Sequence, residues 1–145
     1  MDDRYNLTRF LDAQNKLYPT ALGEVKNGQK KSHWMWFVFP QLKGLGHSAT
    51  AKFYGIDGID EAKAYFLHPV LSKNLIEISS ALVDTKGKSA SEIFGSPDDH
   101  KLRSCMTLFA NLPNADPVFK DVLDKYFAGK PDELTLKILN NDYTI

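Results

Sequence analysis

A chain of 145 residues with 18 Lys and Arg against 18 Asp and Glu has no formal net charge, which removes the electrostatic footprint of a generic polyanion binder or a basic membrane-surface protein. Its 43% apolar and 12% aromatic content supplies a core, which argues against disorder, and the length fits one domain, residues 1–145. A single cysteine, Cys105, excludes an intramolecular disulfide framework and a cysteine-based zinc knuckle, and no leader or apolar run of membrane-spanning length is written, so a cytoplasmic protein without membrane contact is expected.

The periodicity is helical almost from end to end. Leu7, Phe10, Leu11, Gln14 and Leu17 share one face behind Asn6 as N-cap, which predicts a short amphipathic helix. Pro19 suits the first turn of a second helix that carries Leu22 and Val25 inward and closes at Gly28. From Ser32 to Gln41 the chain is apolar on every side, and periodicity does not separate buried helix from buried strand there. A strand would have no partner in such surroundings, so a buried helix ending near Pro40 is expected.

Ser48 then caps a short helix through Tyr54, and Asp57 starts another through Leu67. His68-Pro69 breaks and restarts the chain, with His68 as cap, and Leu71, Leu75, Ile78 and Leu82 mark a helix over Val70 to Val83. Ser89 and Glu92 form a capping box ahead of a stop at Gly95. Ser96-Pro97-Asp98-Asp99 offers a cap, a proline at the first helical position and carboxylates over the positive end of a helix. That helix runs to about Ala110, with Leu102, Cys105, Met106 and Phe109 inward. Asp116-Pro117 repeats the device for a helix to Gly129, and Asp132 caps a last one through Leu136 and Leu139. The predicted fold class is all-α, a single multihelical globular domain.

Chemistry is best placed where the pattern breaks. Both tryptophans, Trp34 and Trp36, stand beside His33 on the apolar run, and Gln41 follows it. The rings alone fill a core, but buried polar His33 and Gln41 need partners, which suits a pocket wall. Lys43-Gly44-Leu45-Gly46-His47-Ser48 sets two glycines before a helix start, a weak form of an anion cradle that also reads as an ordinary loop and cap. Asp98, Lys101, Ser104 and Thr107 add polar groups on the next helix, either a ligand-binding stripe or a solvated face.

Metal binding is not expected, because His33, His47, His68 and His100 have no pair at helical spacing, and no cofactor is predicted. Cys105 on an apolar face reads as inert. Lys26, Lys30 and Lys31 beside the tryptophans read as solvated surface rather than a nucleic-acid groove.

Taken together, Ser32-His-Trp-Met-Trp-Phe-Val-Phe-Pro-Gln41 with Gly44-Leu-Gly46, Glu61-Ala62 and Tyr65 before His68-Pro69, Ile93-Phe94-Gly95 with Pro97-Asp98-Asp99, and Met106-Thr-Leu-Phe109 resemble domain-of-unknown-function family 1810. The likeness covers nearly the whole chain. It implies a single-domain, all-helical bacterial protein and brings no assigned activity. Cys105 departs from the family pattern, which more often has Ser-Ser-Met there. Members are sometimes labelled calpastatin, and the composition of a folded domain argues against that label.

Two functional readings follow. In the first, His33, Trp34, Trp36, Gln41, Gly44, Gly46, Ser48, Asp98, Lys101 and Ser104 bind a nucleotide-like or ADP-ribose-like small molecule. If the site is catalytic, the candidates for acid–base work in hydrolysis or group transfer are His33 and Asp99. In the second, the domain is a non-catalytic interaction or self-association module, for instance a homodimer, presenting an open apolar patch.

Overall fold

The computed structural model describes residues 3–141. Its longest element, α1 (Thr8–Lys26), is entered through the Asp3 carboxylate, which accepts from the backbone N–H of Leu7 (2.6 Å) and from the Thr8 hydroxyl (2.6 Å). Asn6, expected as the cap, has φ +52°, whereas a capping residue is extended; Asp3 does the capping instead. The helix also runs unbroken through Pro19 where two helices were expected. Phe10, Gln14, Tyr18, Ala21 and Val25 form its buried face, and packing that face against the second and fifth helices outweighs the roughly 3 kcal/mol cost of an interior proline. Tyr18 takes the inward position expected of Leu17, which is 37% exposed. The left-handed cap at Gly28 forms as expected, with φ +71°.

The helix expected over Ser32–Gln41 contracts to one turn, α2 (Met35–Val38). On its N-terminal side the Glu24 carboxylate accepts from the N–H groups of Lys31 (2.8 Å) and Ser32 (3.1 Å), the Ser32 hydroxyl (2.7 Å) and the Trp34 indole (2.9 Å). Those donors are fixed in a loop rather than a helix. Beyond Pro40, the N–H of Lys43 donates to Ile56 O (2.8 Å) and that of Ile56 to Gln41 O (3.0 Å), an isolated parallel bridge. The expected burial is present: Trp34, Met35, Phe37, Val38 and Phe39 are all core residues.

The remaining helices are α3 (Ala49–Tyr54), α4 (Gly58–Leu67), α5 (Pro69–Asp84), α6 (Ala90–Phe94), α7 (Asp98–Ala110), α8 (Pro117–Phe127) and α9 (Glu133–Asn141). Their starts are chemically explicit. Ser48, the His68 ring, Ser89 with Glu92, Asp116 and Asp132 all accept from N–H groups of the turn they open. Two expected caps differ. Asp57 makes no side-chain cap bond; its own N–H donates to the Glu61 carboxylate (3.1 Å). At α7 the cap position is Pro97 rather than Ser96, and the helix starts at Asp98.

The result is an all-α, single multihelical domain with no strand among the described residues. Helix α7 is its centre, packed on α8, α6, α9 and α4, while α5 bridges α1 and α8. A run of aromatic contacts crosses the core from Phe10 to Tyr65 (5.0 Å, edge-on), Phe109 (5.4 Å) and Phe119 (5.8 Å), an arrangement worth more than its buried area alone. Buried polar atoms are matched. Gln14 donates to Phe37 O (2.6 Å) and the Tyr65 hydroxyl (3.0 Å), Arg9 pairs with Glu61 at 2.6 Å, and no buried side-chain N or O among the described residues lacks a partner.

Two substitutions test this framework. Burial works against the Glu24 charge, but the donors from Lys31, Ser32 and Trp34 prevail and hold its carboxyl down to about 2, against an ordinary 4.5. A depressed carboxyl stabilises the fold above its unfolded value and loses that contribution as pH falls through its folded one. Glu24→Gln is therefore expected to cost about 2 kcal/mol near neutrality, a difference that closes between about pH 4.5 and 2 in denaturant titrations; a difference unchanged at about pH 3 contradicts this role. The second is Thr107, fully buried, whose hydroxyl donates to Arg103 O (2.8 Å) and accepts from the Asp132 N–H (2.8 Å). Thr107→Val strands that N–H and is expected to cost about 1–3 kcal/mol, read as a lowered melting temperature; an unchanged one contradicts it.

Candidate ligand cleft

Three segments distant in sequence meet at one face: Gln41 to Ala51, the start of α7, and the start of α9. They border an open cleft of about 400 Å³, within the range of small-molecule sites. The cap residues of three helices, Ser48, Pro97 and Asp132, line its wall, and first-turn N–H groups there are already engaged, that of Ala51 by Ser48, that of His100 by Asp99 and that of Thr135 by Asp132.

Of the residues singled out from the sequence, Gln41, Gly46, Ser48, Lys101 and Ser104 line this cleft. Trp36 borders an adjoining recess of about 10 Å³ that it shares with Gln41, Ala51 and Lys101, room for no more than a water. Its ring lies 5.1 Å from the Lys101 ammonium, a cation–π contact. Asp98 stands one layer behind, with one oxygen 2.8 Å from Lys30 Nζ and the other 3.4 Å from Lys101 Nζ. The order from core to cleft is therefore Trp34, Lys30, Asp98, Lys101, Trp36, with Lys30 5.2 Å from the Trp34 ring.

The other named residues lie elsewhere. Trp34 is fully buried in the core against Phe39 and Phe94, its indole N–H held by Glu24. His33 and Gly44 are exposed and border neither cavity. Asp99 does not line the cleft; its Oδ1 accepts from the His100 N–H (2.9 Å) and sits 3.9 Å from His100 Nε2.

Local packing explains two of the lining residues without a ligand. A Cβ on Gly46 would sit 2.5 Å from the Ala51 Cβ, so glycine there lets the loop close onto α3. Ser104 and Thr107 are buried and return their hydroxyls to the carbonyls of His100 and Arg103 one turn back. Of the polar residues along this face of α7, only Asp98 and Lys101 keep partial access to solvent.

His47, His100, Pro97, Asp132 and Leu134 also line the cleft. His47 belongs to the loop read as a weak anion cradle and both histidines read as poor metal ligands, but nothing local in sequence brings residues 47, 100 and 132 together. The Asp132 carboxylate is engaged by the N–H (2.9 Å) and hydroxyl (2.5 Å) of Thr135. Among the described residues no helix is long and apolar enough to cross a membrane.

Comparison with known proteins gives a fold relative and a family. No curated protein matches the sequence. The crystal structure of the conserved hypothetical protein Rv1873 from Mycobacterium tuberculosis is similar, with a TM-score of 0.93 and 45% identity over 95% of this chain and 99% of that one. The family described as Protein of unknown function (DUF1810) matches residues 4–139, in agreement with the resemblance carried by the His33–Gln41 and Pro97–Phe109 motifs. The chain belongs to the DUF1810 family.

Proposed function

We propose that the cleft binds a small nucleotide-like or ADP-ribose-like molecule through an anionic group. What supports the reading is one convergence: three segments distant in sequence border a cavity of ligand size, and Lys101, whose ammonium lies 5.1 Å from the Trp36 ring, stands in its wall. Gln41 and Ser48 add neutral polar atoms in the same wall, the usual means of orienting a ligand. Lys30 matters because it supplies Asp98 with a second cation. Lys101 can then turn toward a ligand without leaving that carboxylate unpaired.

A second reading, self-association or partner binding, has one observation in its favour. Leu67 is 82% and Val70 49% exposed on either side of His68-Pro69, and isolated exposed apolar residues of this kind are common on monomers. Sedimentation of the wild type beside Leu67→Asp addresses self-association: a dimer converted to monomer favours it, and a monomer in both removes it.

The ligand reading is tested by thermal-shift measurements against nucleotides and ADP-ribose. A ligand at about 100 times its dissociation constant stabilises by about 2.7 kcal/mol, a shift of several degrees at this size. Lys101→Met is expected to weaken a hit at least about tenfold, about 1.4 kcal/mol, with the melting temperature of the free protein little changed. No shift across the panel, or an undiminished shift in Lys101→Met, contradicts it.

A further inference from the structure

We propose that the Gln41 amide reads the edge of a nucleobase, which makes the ligand class a base-bearing adenine nucleotide and excludes a bare sugar phosphate. This rests on the reading of the cleft as a ligand site.

Gln41 borders both the cleft and the adjoining recess, a position it shares only with Ala51 and Lys101. Its main chain is fixed. Pro40 precedes it, and its carbonyl accepts from the Ile56 N–H (3.0 Å) beside the Leu42–Ile56 bridge. Its side chain is half-buried, yet among the described residues the amide has no hydrogen-bond partner, and both of its polar atoms stay accessible. Gln14 shows the contrast: its amide donates to Phe37 O and the Tyr65 hydroxyl and accepts from Asn74 (3.0 Å), so both of its ends are used within the fold. A Cβ on Gly46 would stand 3.5 Å from Gln41 Nε2, and glycine there keeps the space beside the amide open.

A primary amide presents a donor and an acceptor side by side in one plane. Adenine offers the reverse pair on one edge, its 6-amino group and N7, and a glutamine meets both at once. The same cleft supplies apolar surface for the faces of such a ring, because Leu45 and Leu134, the latter 54% exposed, stand in its lining. A flat base can cover these leucines while its edge is bonded, and the hydroxyls of a sugar phosphate cannot. Lys101 shares both cavities with Gln41, so the cation for a phosphate and the amide for the base belong to one stretch of wall.

The test is titration calorimetry with ADP-ribose, AMP, the monophosphate of purine riboside, which lacks the 6-amino group, and ribose 5-phosphate, which lacks the base. AMP is expected to bind at least about tenfold tighter than either truncated compound. Gln41→Leu is expected to weaken AMP and ADP-ribose about tenfold and to remove the preference for AMP over the purine analogue. The melting temperature of the free protein stays little changed, since the amide bonds nothing within the fold. Equal affinity for AMP and ribose 5-phosphate, or undiminished binding of the adenine compounds to Gln41→Leu, overturns this inference and leaves the ligand reading standing. A loss in Gln41→Leu that is equal for all four compounds also overturns it, because the side chain is then a shape contact. No binding of any of them overturns both.

Discussion

The carboxylate of Glu24 is the contact on which the arrangement of this molecule turns. Placed near the end of α1, it gathers four donors from Lys31, Ser32 and Trp34, and each is a charge-assisted bond stronger than its neutral counterpart. That single acceptor sets how the chain leaves its longest helix. It pulls Trp34 into the core with its one polar atom satisfied, and the rings of Phe39 and Phe94 then close around the indole. It also fixes the segment carrying Lys30, whose N–H donates to Ile93 O (2.7 Å) and whose ammonium reaches Asp98.

Through Lys30 the end of α1 is tied to the beginning of α7. Lys30 and Asp98 are mostly shielded, with side-chain exposures of 8% and 20%, so their attraction is weakly screened and costly to break one-sidedly. Asp98 in turn holds Lys101 over Trp36 at the lip of the cleft. The opposite border is set independently, by the short Leu42–Ile56 bridge and the close approach of Gly46 to Ala51. The third comes from α9, whose start is pinned to α7 by Thr107. A buried framework thus positions polar groups that do little for stability themselves.

How much of this could be read in the sequence depends on distance along the chain. Caps such as Ser48, His68, Ser89, Asp116 and Asp132 act on N–H groups two or three residues away, so their chemistry is written locally and the helix starts follow from it. The inward face of α5 is legible for the same reason. The contraction of the Ser32–Gln41 helix was not, because the groups responsible are Glu24, eight to ten residues upstream, and Ile56, across the fold. Pro19 reads as a break on local grounds and is overruled by the packing of Tyr18 and Ala21 on either side of it. At the cleft, Gln41, Gly46, Ser48, Lys101 and Ser104 stood out as polar or glycine residues in unusual places. Trp34 and His33 did too, yet one faces the core and the other the solvent. Neighbours in sequence in the loop that enters a one-turn helix point in different directions, and composition carries no record of which direction each takes.

The claim that Lys101 and the polar residues around it form a binding surface is tested most directly by a crystal structure of the protein soaked with ADP-ribose. The expected result is phosphate density in the cleft, within hydrogen-bond reach of Lys101 and of the Gln41 or Ser48 side chain. Density for the ligand on another face, or an empty cleft at a concentration that shifts the melting temperature, would contradict it.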